Sequence, residues 1–376
     1  MEYLNEYKIE TLVTRVDREI SEGLLPAAQI AIGYDNQIVF SKNFGDTKPD
    51  SLFCIFSATK AITSAASWLL MQDEIISEDD LVTDYIPEFG KNGKSKITLS
   101  HLLTHTAGFP HAPFRPVEWR SKEARLTRFK QWRIFWEPGT QFEYHPSSSM
   151  YVVAEIIERA SGTDFGDFVQ TRIFDPLRLS NSFIGLPDDQ GARALEIKYC
   201  GEELSEQEYK EMGFPIPPET EVTEDAILSF NERDVRASGI PGGGAFSNAK
   251  DMAMFYQALL HGGTDQKRLW QEDILVSART IRNPELTDPV FKKAANRGLG
   301  IVISGDTDRN YRGFGKTNSP LAFGHNGAGG QLCWADPDTG LSFVYLTSGH
   351  DRNPIRQGRR GVSISSLAAE CKSRKR

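Results

Sequence analysis

This sequence lacks long apolar runs, and its first residues lack the pattern of a secretory signal peptide. None of its 376 residues belongs to a stretch near the roughly 18 apolar residues that a membrane helix needs. The N-terminus, MEYLNEYKIE, has no basic segment followed by an apolar core, so no secretory signal is visible. We therefore expect no membrane span and a cytoplasmic location.

Paired cysteines and an excess of positive charge are missing too. Cys54, Cys200, Cys333 and Cys371 are scattered without a CxxC pair, so we expect neither a disulfide framework nor a zinc site. The formal net charge is −8, and the only basic cluster is the C-terminal KSRKR. A nucleic-acid partner is therefore disfavoured.

The pattern of apolar residues predicts strands at both ends of the chain and helices between them. AAQIAIGYDNQIVFSKNFG reads as two strands joined at Asp35-Asn36, and QLCWADPDTGLSFVYLTSG as two more. Residues 77–236 alternate helical runs with Pro- and Gly-rich connections. We expect one domain, residues 1–376, with a sheet subdomain (about 1–76 and 237–376) and an inserted helical subdomain (about 77–236).

Ser57 and Lys60, in FCIFSATKAITSAASWLL, lie one helical turn apart at the head of a helix that is apolar or small on nearly every face. A lysine there would be desolvated, which favours the neutral amine and makes it a base for the serine. The structural alternative to catalysis is that Ser57 caps the helix and Lys60 is an ordinary solvated lysine. A second SxxK, Ser247 to Lys250, follows a glycine run and opens an amphipathic helix, so we interpret Ser247 as an N-cap.

Three other patterns have plain structural explanations. His101 and His105 lie four residues apart but lack the HExxH pattern of zinc peptidases, so we expect structural histidines. Tyr144 alone would be a half-buried aromatic. His325, among glycines in FGHNGAGG, could be a loop histidine or lie where a substrate approaches the backbone.

Five segments together resemble the serine β-lactamase and penicillin-binding-protein superfamily, in particular its class C-like branch of esterases, D-aminopeptidases and DD-peptidases. They occur in family order: FSATKAIT, ITLSHLLTHTAGF, WEPGTQFEYHP, IPGGGAFSNAKDMAMF and FGHNGAGG. The resemblance implies an α/β fold of the α+β type, in which helices flank a mainly antiparallel sheet and a helical subdomain closes the cleft.

The resemblance also implies roles for individual residues. Ser57 would be the nucleophile, Lys60 its proton acceptor and Tyr144 the partner of Lys60 in proton transfer. His325 occupies the first position of the third motif, and Ala328 would supply the second oxyanion N–H beside that of Ser57. Asn326 and Gly327 would line the same substrate-binding edge.

The sequence departs from the family pattern at two places. The second motif, usually Tyr-x-Asn or Tyr-x-Ser, ends here in Pro146, so that Ser147 or Ser148 would have to replace the missing side-chain donor. The third motif has His325-Asn326 in place of Lys-Thr, which removes a permanent positive charge. Both departures weaken a β-lactamase assignment more than a hydrolase assignment.

The sequence thus predicts a serine hydrolase that forms an acyl-enzyme on Ser57 and needs no cofactor or metal. Among substrates we rank small carboxylic esters first, D-amino-acid peptides second and β-lactams third. Aromatic residues near the second motif could wall an acyl pocket or merely pack the helical subdomain: Trp119, Trp132, Trp136 and Phe142. A catalytically silent binding or assembly module is the alternative from another class, and oligomeric state is not encoded in any of these motifs.

Overall fold

Strands from both ends of the chain meet in one sheet, as the sequence predicts. The computed structural model describes residues 3–113, 115–214, 216 and 222–373. Within these ranges the strands are β1 (Ala27–Tyr34), β2 (Gln37–Gly45), β3 (Phe53–Cys54), β4 (Phe183–Ile184), β5 (Lys198–Cys200), β6 (Ala245–Ser247), β7 (Val302–Ile303), β8 (Phe323–Gly324), β9 (Leu332–Asp336), β10 (Leu341–Thr347) and β11 (Gly349–Asp351).

The main sheet is antiparallel and has the order β2-β1-β10-β9-β8-β7. β1 and β10 pair along their length, from Ala28 opposite Thr347 to Tyr34 opposite Leu341, which joins the N-terminal hairpin to the C-terminal strands. The hairpin turn has φ of 52° at Asp35 and 55° at Asn36, the backbone that Asp and Asn tolerate in a two-residue turn. The predicted hairpin is confirmed.

Helices cover the sheet and fill the middle of the chain. In the described ranges they are α1 (Glu6–Ser21), α2 (Thr59–Gln72), α3 (Val82–Tyr85), α4 (Leu99–Leu103), α5 (Lys122–Gln131), α6 (Ser148–Ser161), α7 (Phe165–Val169), α8 (Asp175–Leu177), α9 (Glu206–Glu211), α10 (Glu224–Leu228), α11 (Arg233–Ser238), α12 (Ala249–His261), α13 (Glu272–Ala278) and α14 (Pro354–Ala369).

The two faces of the main sheet bury different helices. On one face, apolar residues of α1 and α14 pack with those of the strands, for example Val16, Trp334 and Ile364. On the other face lies α12, where the Ser342 hydroxyl of β10 donates to the Ala253 carbonyl at 2.8 Å. The mixed fold of helices around an antiparallel sheet is therefore confirmed.

α2 is the central helix of the molecule, and every residue from Thr59 to Leu70 is buried. The run of small and apolar residues explains this, since no face of the helix presents a stripe that prefers water. The burial predicted for this helix is confirmed. The amine of Lys60, in its first turn, is buried with it.

The range 77–236 is largely helical, but it also contains β4 and β5. These short strands pair with β6 and β11, which lie outside that range. The middle segment is thus hydrogen-bonded to the C-terminal part of the chain at two places. The division into two subdomains stays a prediction.

Candidate active site

Ser57 lies at a sharp turn that leads into α2. It occupies a 3₁₀ turn, Phe56–Ala58, and Phe56 has a φ of +44°, which is strained for a residue with a side chain. The Phe56 ring is held between the rings of Phe230 and His350, with centroids 5.3 and 5.1 Å away. Ser57 itself stays half-exposed while its neighbours are buried, so the turn presents this hydroxyl to an approaching substrate.

The side chain of Lys60 forms hydrogen bonds with Ser57 and with two backbone carbonyls. Its Nζ lies 3.2 Å from the Ser57 Oγ, 2.6 Å from the Pro146 oxygen and 2.7 Å from the Gly242 oxygen. Among the residues that the structure describes, Lys60 has no carboxylate partner. Burial lowers the pKa of Lys60, Tyr144 acts in the opposite direction, and the positive charge of Arg297 lowers it further.

The geometry around Lys60 orients the neutral amine. A neutral amine has two N–H groups and one lone pair, whereas a carbonyl oxygen can only accept. Pro146 and Gly242 accept two N–H groups in either protonation state of Lys60. The charged lysine donates its third N–H to the Ser57 Oγ, whereas the neutral amine turns its lone pair to the Ser57 hydroxyl. The arrangement therefore suits transfer of the serine proton to Lys60.

Tyr144 lies on the other side of Lys60, whose Nζ is 5.2 Å from the centroid of the phenol ring. The rings of His105 and His325 approach the same phenol, at 4.7 and 6.0 Å between centroids. The structure thus brings together Ser57, Lys60, Tyr144 and His325, four residues singled out from three distant segments.

The two residues after Tyr144 in the second motif, His145 and Pro146, make hydrogen bonds within the protein. His145 is buried; its Nε2 accepts from the Phe109 N–H at 3.1 Å and its Nδ1 donates to the Glu143 oxygen at 2.7 Å. Burial lowers its pKa to about 3, so it is neutral at ordinary pH. Pro146 contributes through its carbonyl, which takes the hydrogen bond from Lys60.

The two serines proposed to replace the missing donor differ in position. Ser148 is buried, and its hydroxyl donates to the Phe109 oxygen at 3.0 Å, so it is engaged in holding the loop and does not face a substrate. Ser147 is half-buried at the N-cap of α6 and makes no side-chain cap bond. Ser147 therefore remains the candidate of the two.

His325 directly follows β8, and its protonation state can be assigned from its contacts. Its Nδ1 lies 2.9 Å from the Asn326 carbonyl, which can only accept, so the neutral ring carries its proton on Nδ1. Its Nε2 is buried without a hydrogen-bond partner in the described ranges. Burial, followed by the charges of Lys60 and Arg297, holds the pKa of His325 well below its usual range. A neutral acceptor thus stands where the family often has a cation.

The rest of the third motif is packed closely against the turn that carries Ser57. A Cβ added to Gly327 would lie 2.2 Å from the Ile55 carbonyl oxygen, so only glycine lets this segment reach the residues before Ser57. Ala328 is the next residue, so its backbone N–H belongs to the same closely packed segment. The Asn326 side chain is turned away, because it donates to the Gly313 oxygen at 2.7 Å and accepts from the Cys333 N–H. These two hydrogen bonds give Asn326 a role in loop structure, and its place in substrate binding stays a prediction.

Two residues near the phenol were not assigned to the site from the sequence. The sequence predicts a structural role for His105 and disfavours a metal ligand. Its Nδ1 accepts from the His145 N–H at 3.2 Å, which leaves the proton on Nε2, a buried atom without a hydrogen-bond partner in the described ranges. Arg297 places its guanidinium carbon 5.5 Å from the Tyr144 ring centroid, and no motif pointed to it.

The aromatic residues near the second motif separate into two groups. Trp119 and Trp132 belong to the core, against Tyr151 and Phe109 respectively. Phe142 instead lies beside His105 at 6.3 Å between ring centroids, and Trp136 lies at the same distance from His145. Only these latter two are next to residues of the site.

The other residues that the sequence offered as alternatives to the Ser57 site have structural roles. Ser247 ends β6 and shares a 2.8 Å hydrogen bond with Ser182; the predicted N-cap is in fact Asn248, which caps α12 by accepting from the Asp251 N–H. Lys250 is exposed. His101 caps α4 through its Nδ1.

In the described parts of the chain, no three His, Cys, Asp or Glu side chains are grouped as metal ligands would be. The four cysteines are unpaired thiols. In the same ranges, no helix combines the length and the apolar character needed to cross a bilayer.

Known proteins share this sequence pattern and this fold. A family model described as Beta-lactamase matches residues 12–365. An Escherichia coli K12 protein, provisionally named D-alanyl-D-alanine carboxypeptidase, is 25% identical over 389 residues, which covers 91% of this chain and 83% of that protein.

Two crystal structures are similar in fold. A penicillin-binding-protein homologue from Caulobacter crescentus has a TM-score of 0.77 at 23% identity. A family VIII carboxylesterase has the same TM-score at 24% identity, and each match covers 96% of this chain and 97% of the other. At these sequence identities the two structures support the assignment of the fold alone.

Proposed function

The chain belongs to the beta-lactamase family, whose members are serine hydrolases, and from that premise we propose that it hydrolyses carboxylic esters through an acyl-enzyme on Ser57. One observation carries the proposal. The buried Lys60 amine lies 3.2 Å from the Ser57 hydroxyl, two carbonyls hold its N–H groups, and in the described ranges it has no carboxylate partner.

In the first half of the reaction, the Ser57 hydroxyl gives its proton to neutral Lys60 while Oγ attacks the ester carbonyl. The developing oxyanion is held by the backbone N–H groups of Ser57 and Ala328. One such donor is typically worth about 3 kcal/mol of transition-state stabilisation. Tyr144, beside the lysine, passes the proton to the departing alcohol as the carbonyl reforms.

In the second half, a water molecule gives a proton to the Tyr144–Lys60 pair and attacks the acyl-enzyme. The carboxylic acid leaves as Ser57 recovers its proton. His325, with its bare Nε2, can accept a hydrogen bond from the phenol or from this water. The His105 ring lies against the Tyr144 ring, with 4.7 Å between centroids, which suits a role for His105 in positioning the phenol.

The ester preference is supported by the third motif. His325 is buried and neutral, so that position offers no permanent charge to a β-lactam carboxylate. A D-peptidase is the second candidate, because the E. coli relative is named for that activity. β-Lactams rank third.

A paired assay on the wild type and Ser57→Ala tests the proposal, with p-nitrophenyl butyrate and a chromogenic cephalosporin as substrates. We expect ester turnover that is lost in Ser57→Ala, and little cephalosporin turnover. Fast cephalosporin hydrolysis would overturn the substrate ranking. Absence of Ser57-dependent ester turnover, together with no labelling by a fluorophosphonate probe, would favour the silent binding module.

Ser247→Ala is the matched control, since it alters the serine of the other SxxK pattern. Ser247 is buried and bonded to Ser182, away from Lys60. We expect this variant to keep wild-type activity per folded molecule. If Ser247→Ala were the inactive variant, the nucleophile would have been misassigned.

A further inference from the structure

His350 is a buried histidine of β11 that none of the motifs includes. It is 4% exposed, and its Nε2 has no hydrogen-bond partner among the residues that the structure describes. Burial lowers its pKa to about 4, so the ring is neutral at ordinary pH. A buried polar atom without a partner is costly, and an apolar side chain would fill the same space without that cost. The contacts of the ring therefore need an explanation beyond packing.

The ring of His350 lies between the two segments that carry the proposed oxyanion donors. On one side it meets the Phe56 ring edge-on, with 5.1 Å between centroids, and Phe56 directly precedes Ser57. On the other side it packs against Gly329, which directly follows Ala328 and has a φ of +80°. A Cβ added to Gly329 would lie 2.4, 2.6 and 2.7 Å from the ring atoms Nε2, Cδ2 and Cε1. One side chain thus contacts both sides of the oxyanion site.

Ala328 is held between two close contacts of different kinds. Just before it, Gly327 approaches the Ile55 carbonyl directly, where an added Cβ would lie 2.2 Å from the oxygen. Just after it, Gly329 is kept away from the Ser57 turn by the imidazole of His350. Because each peptide unit is a rigid plane, these two contacts together determine the direction of the Ala328 N–H. The width of the ring is therefore part of the geometry of the site.

His350 is itself firmly anchored. It lies opposite Tyr199 in the pairing of β11 with β5, and the two rings are 5.3 Å apart between centroids. The next residue, Asp351, accepts from the Arg356 Nε at 2.7 Å and from the Arg360 Nη2 at 2.8 Å, both on α14. These contacts fix the strand that carries the histidine. The ring can therefore act as a spacer that does not yield when the two segments press on it.

We propose that His350 is a positioning residue, whose ring sets the separation and direction of the Ser57 and Ala328 N–H groups. The inference rests on the proposed function, in which these two groups hold the oxyanion. Donors aimed at a developing charge act mainly in the transition state, since the ground-state carbonyl carries less charge. Loss of the ring should therefore slow acylation and leave the binding of the intact substrate nearly unchanged.

His350→Ala tests this inference with butylboronic acid, a ligand that resembles the tetrahedral intermediate. The Ser57 oxygen adds to boron, the serine proton passes to Lys60, and a boron-bound oxygen occupies the oxyanion site. We expect the Kd of the boronic acid to rise by roughly 10- to 100-fold in the variant. The acylation rate with p-nitrophenyl butyrate should fall by a similar factor. The dissociation constant of the ester, taken from the concentration dependence of the burst, should stay near the wild-type value.

His101→Ala is the matched control, because His101 also packs against a glycine of positive φ. A Cβ added to Gly139, with φ of +85°, would lie 2.9 Å from the His101 Nε2. Neither residue belongs to the segments that carry Ser57 and Ala328. Once corrected for the folded fraction, this variant should keep the wild-type affinity for the boronic acid. Equal losses in the two variants would overturn the proposal, since removal of any packed histidine would then explain them.

Gly329→Ala perturbs the same contact from the opposite side. Its Cβ would press on the His350 Nε2, so the affinity for butylboronic acid should fall in this variant too. In the His350→Ala background the Cβ has room, and the loss caused by Gly329→Ala should be smaller. If the two losses simply multiply in the double variant, the residues act independently and the proposal is wrong. Wild-type affinity in folded His350→Ala would overturn it as well.

Boronate binding separates this inference from the proposed function. If the wild type binds butylboronic acid through Ser57 but does not hydrolyse the ester, the ester assignment fails. The affinities of His350→Ala and the wild type then still decide the positioning role. If the wild type hydrolyses the ester but binds the boronic acid no better than Ser57→Ala does, the oxyanion donors are not where we place them. That result would refute the role of His350 and leave the esterase activity standing.

Discussion

Gly327→Ala is the substitution for which the structure makes the sharpest prediction. The added Cβ would lie 2.2 Å from the Ile55 carbonyl oxygen and 2.9 Å from the Gln331 Cγ. A carbon and a carbonyl oxygen normally approach no closer than about 3.3 Å, so the third-motif segment must move by about 1 Å. In the mechanism that we propose, this displacement would move the Ala328 N–H away from the oxyanion at Ser57.

The expected loss follows from the size of that shift. A misplacement of about 1 Å in an active site can cost about 100-fold in rate, and losing one oxyanion donor costs about 100- to 1000-fold. We therefore expect the acylation rate of Gly327→Ala to fall by about 100-fold or more. The same overpacking should lower the free energy of unfolding by about 1–3 kcal/mol.

The measurement is the pre-steady-state burst with p-nitrophenyl butyrate, corrected for the folded fraction by thermal unfolding. Gly243→Ala is the matched control, since its Cβ would lie 3.8 Å from the nearest atoms, which belong to Ile240 and Phe56. That variant should acylate close to the wild-type rate. A wild-type burst from folded Gly327→Ala would refute the placement of the oxyanion donors.

Two other predictions concern titration and stability. Burial lowers the pKa of Lys60, and we propose that its neutral amine is the base. The value of kcat/KM should therefore rise with pH through a midpoint below the usual 10.5 of lysine, and a rate that does not vary with pH would contradict this mechanism. Arg360→Met would strip the buried carboxylates of Glu19 and Asp351 of a partner at 2.6 and 2.8 Å. Arg15 and Arg356 still pair with the two carboxylates, so urea denaturation should show a loss of about 1–3 kcal/mol. Unchanged stability would show that the network contributes little.

The sequence by itself determined the features that depend on local spacing. The Asp35-Asn36 turn and the buried α2 follow from residue types within a few positions of each other, and both are present. The choice between the two SxxK patterns began from local context, the small and apolar run after Lys60, but it also needed the resemblance of five segments to the family, and it stays a prediction. Local periodicity determines which faces are buried, and the turn and the helix needed nothing more.

The tertiary structure decided how the site is completed, because its contacts join segments that are distant in sequence. The Pro146 carbonyl binds a lysine 86 positions away, which no local pattern encodes. Ser148 and Asn326 had side chains suited to a substrate, yet packing directs both to backbone groups. Arg297 has no signature in its own segment; only the packing of the chain stacks it on Tyr144. A side chain's partners depend on which elements pack together, and that is settled only when the whole core forms.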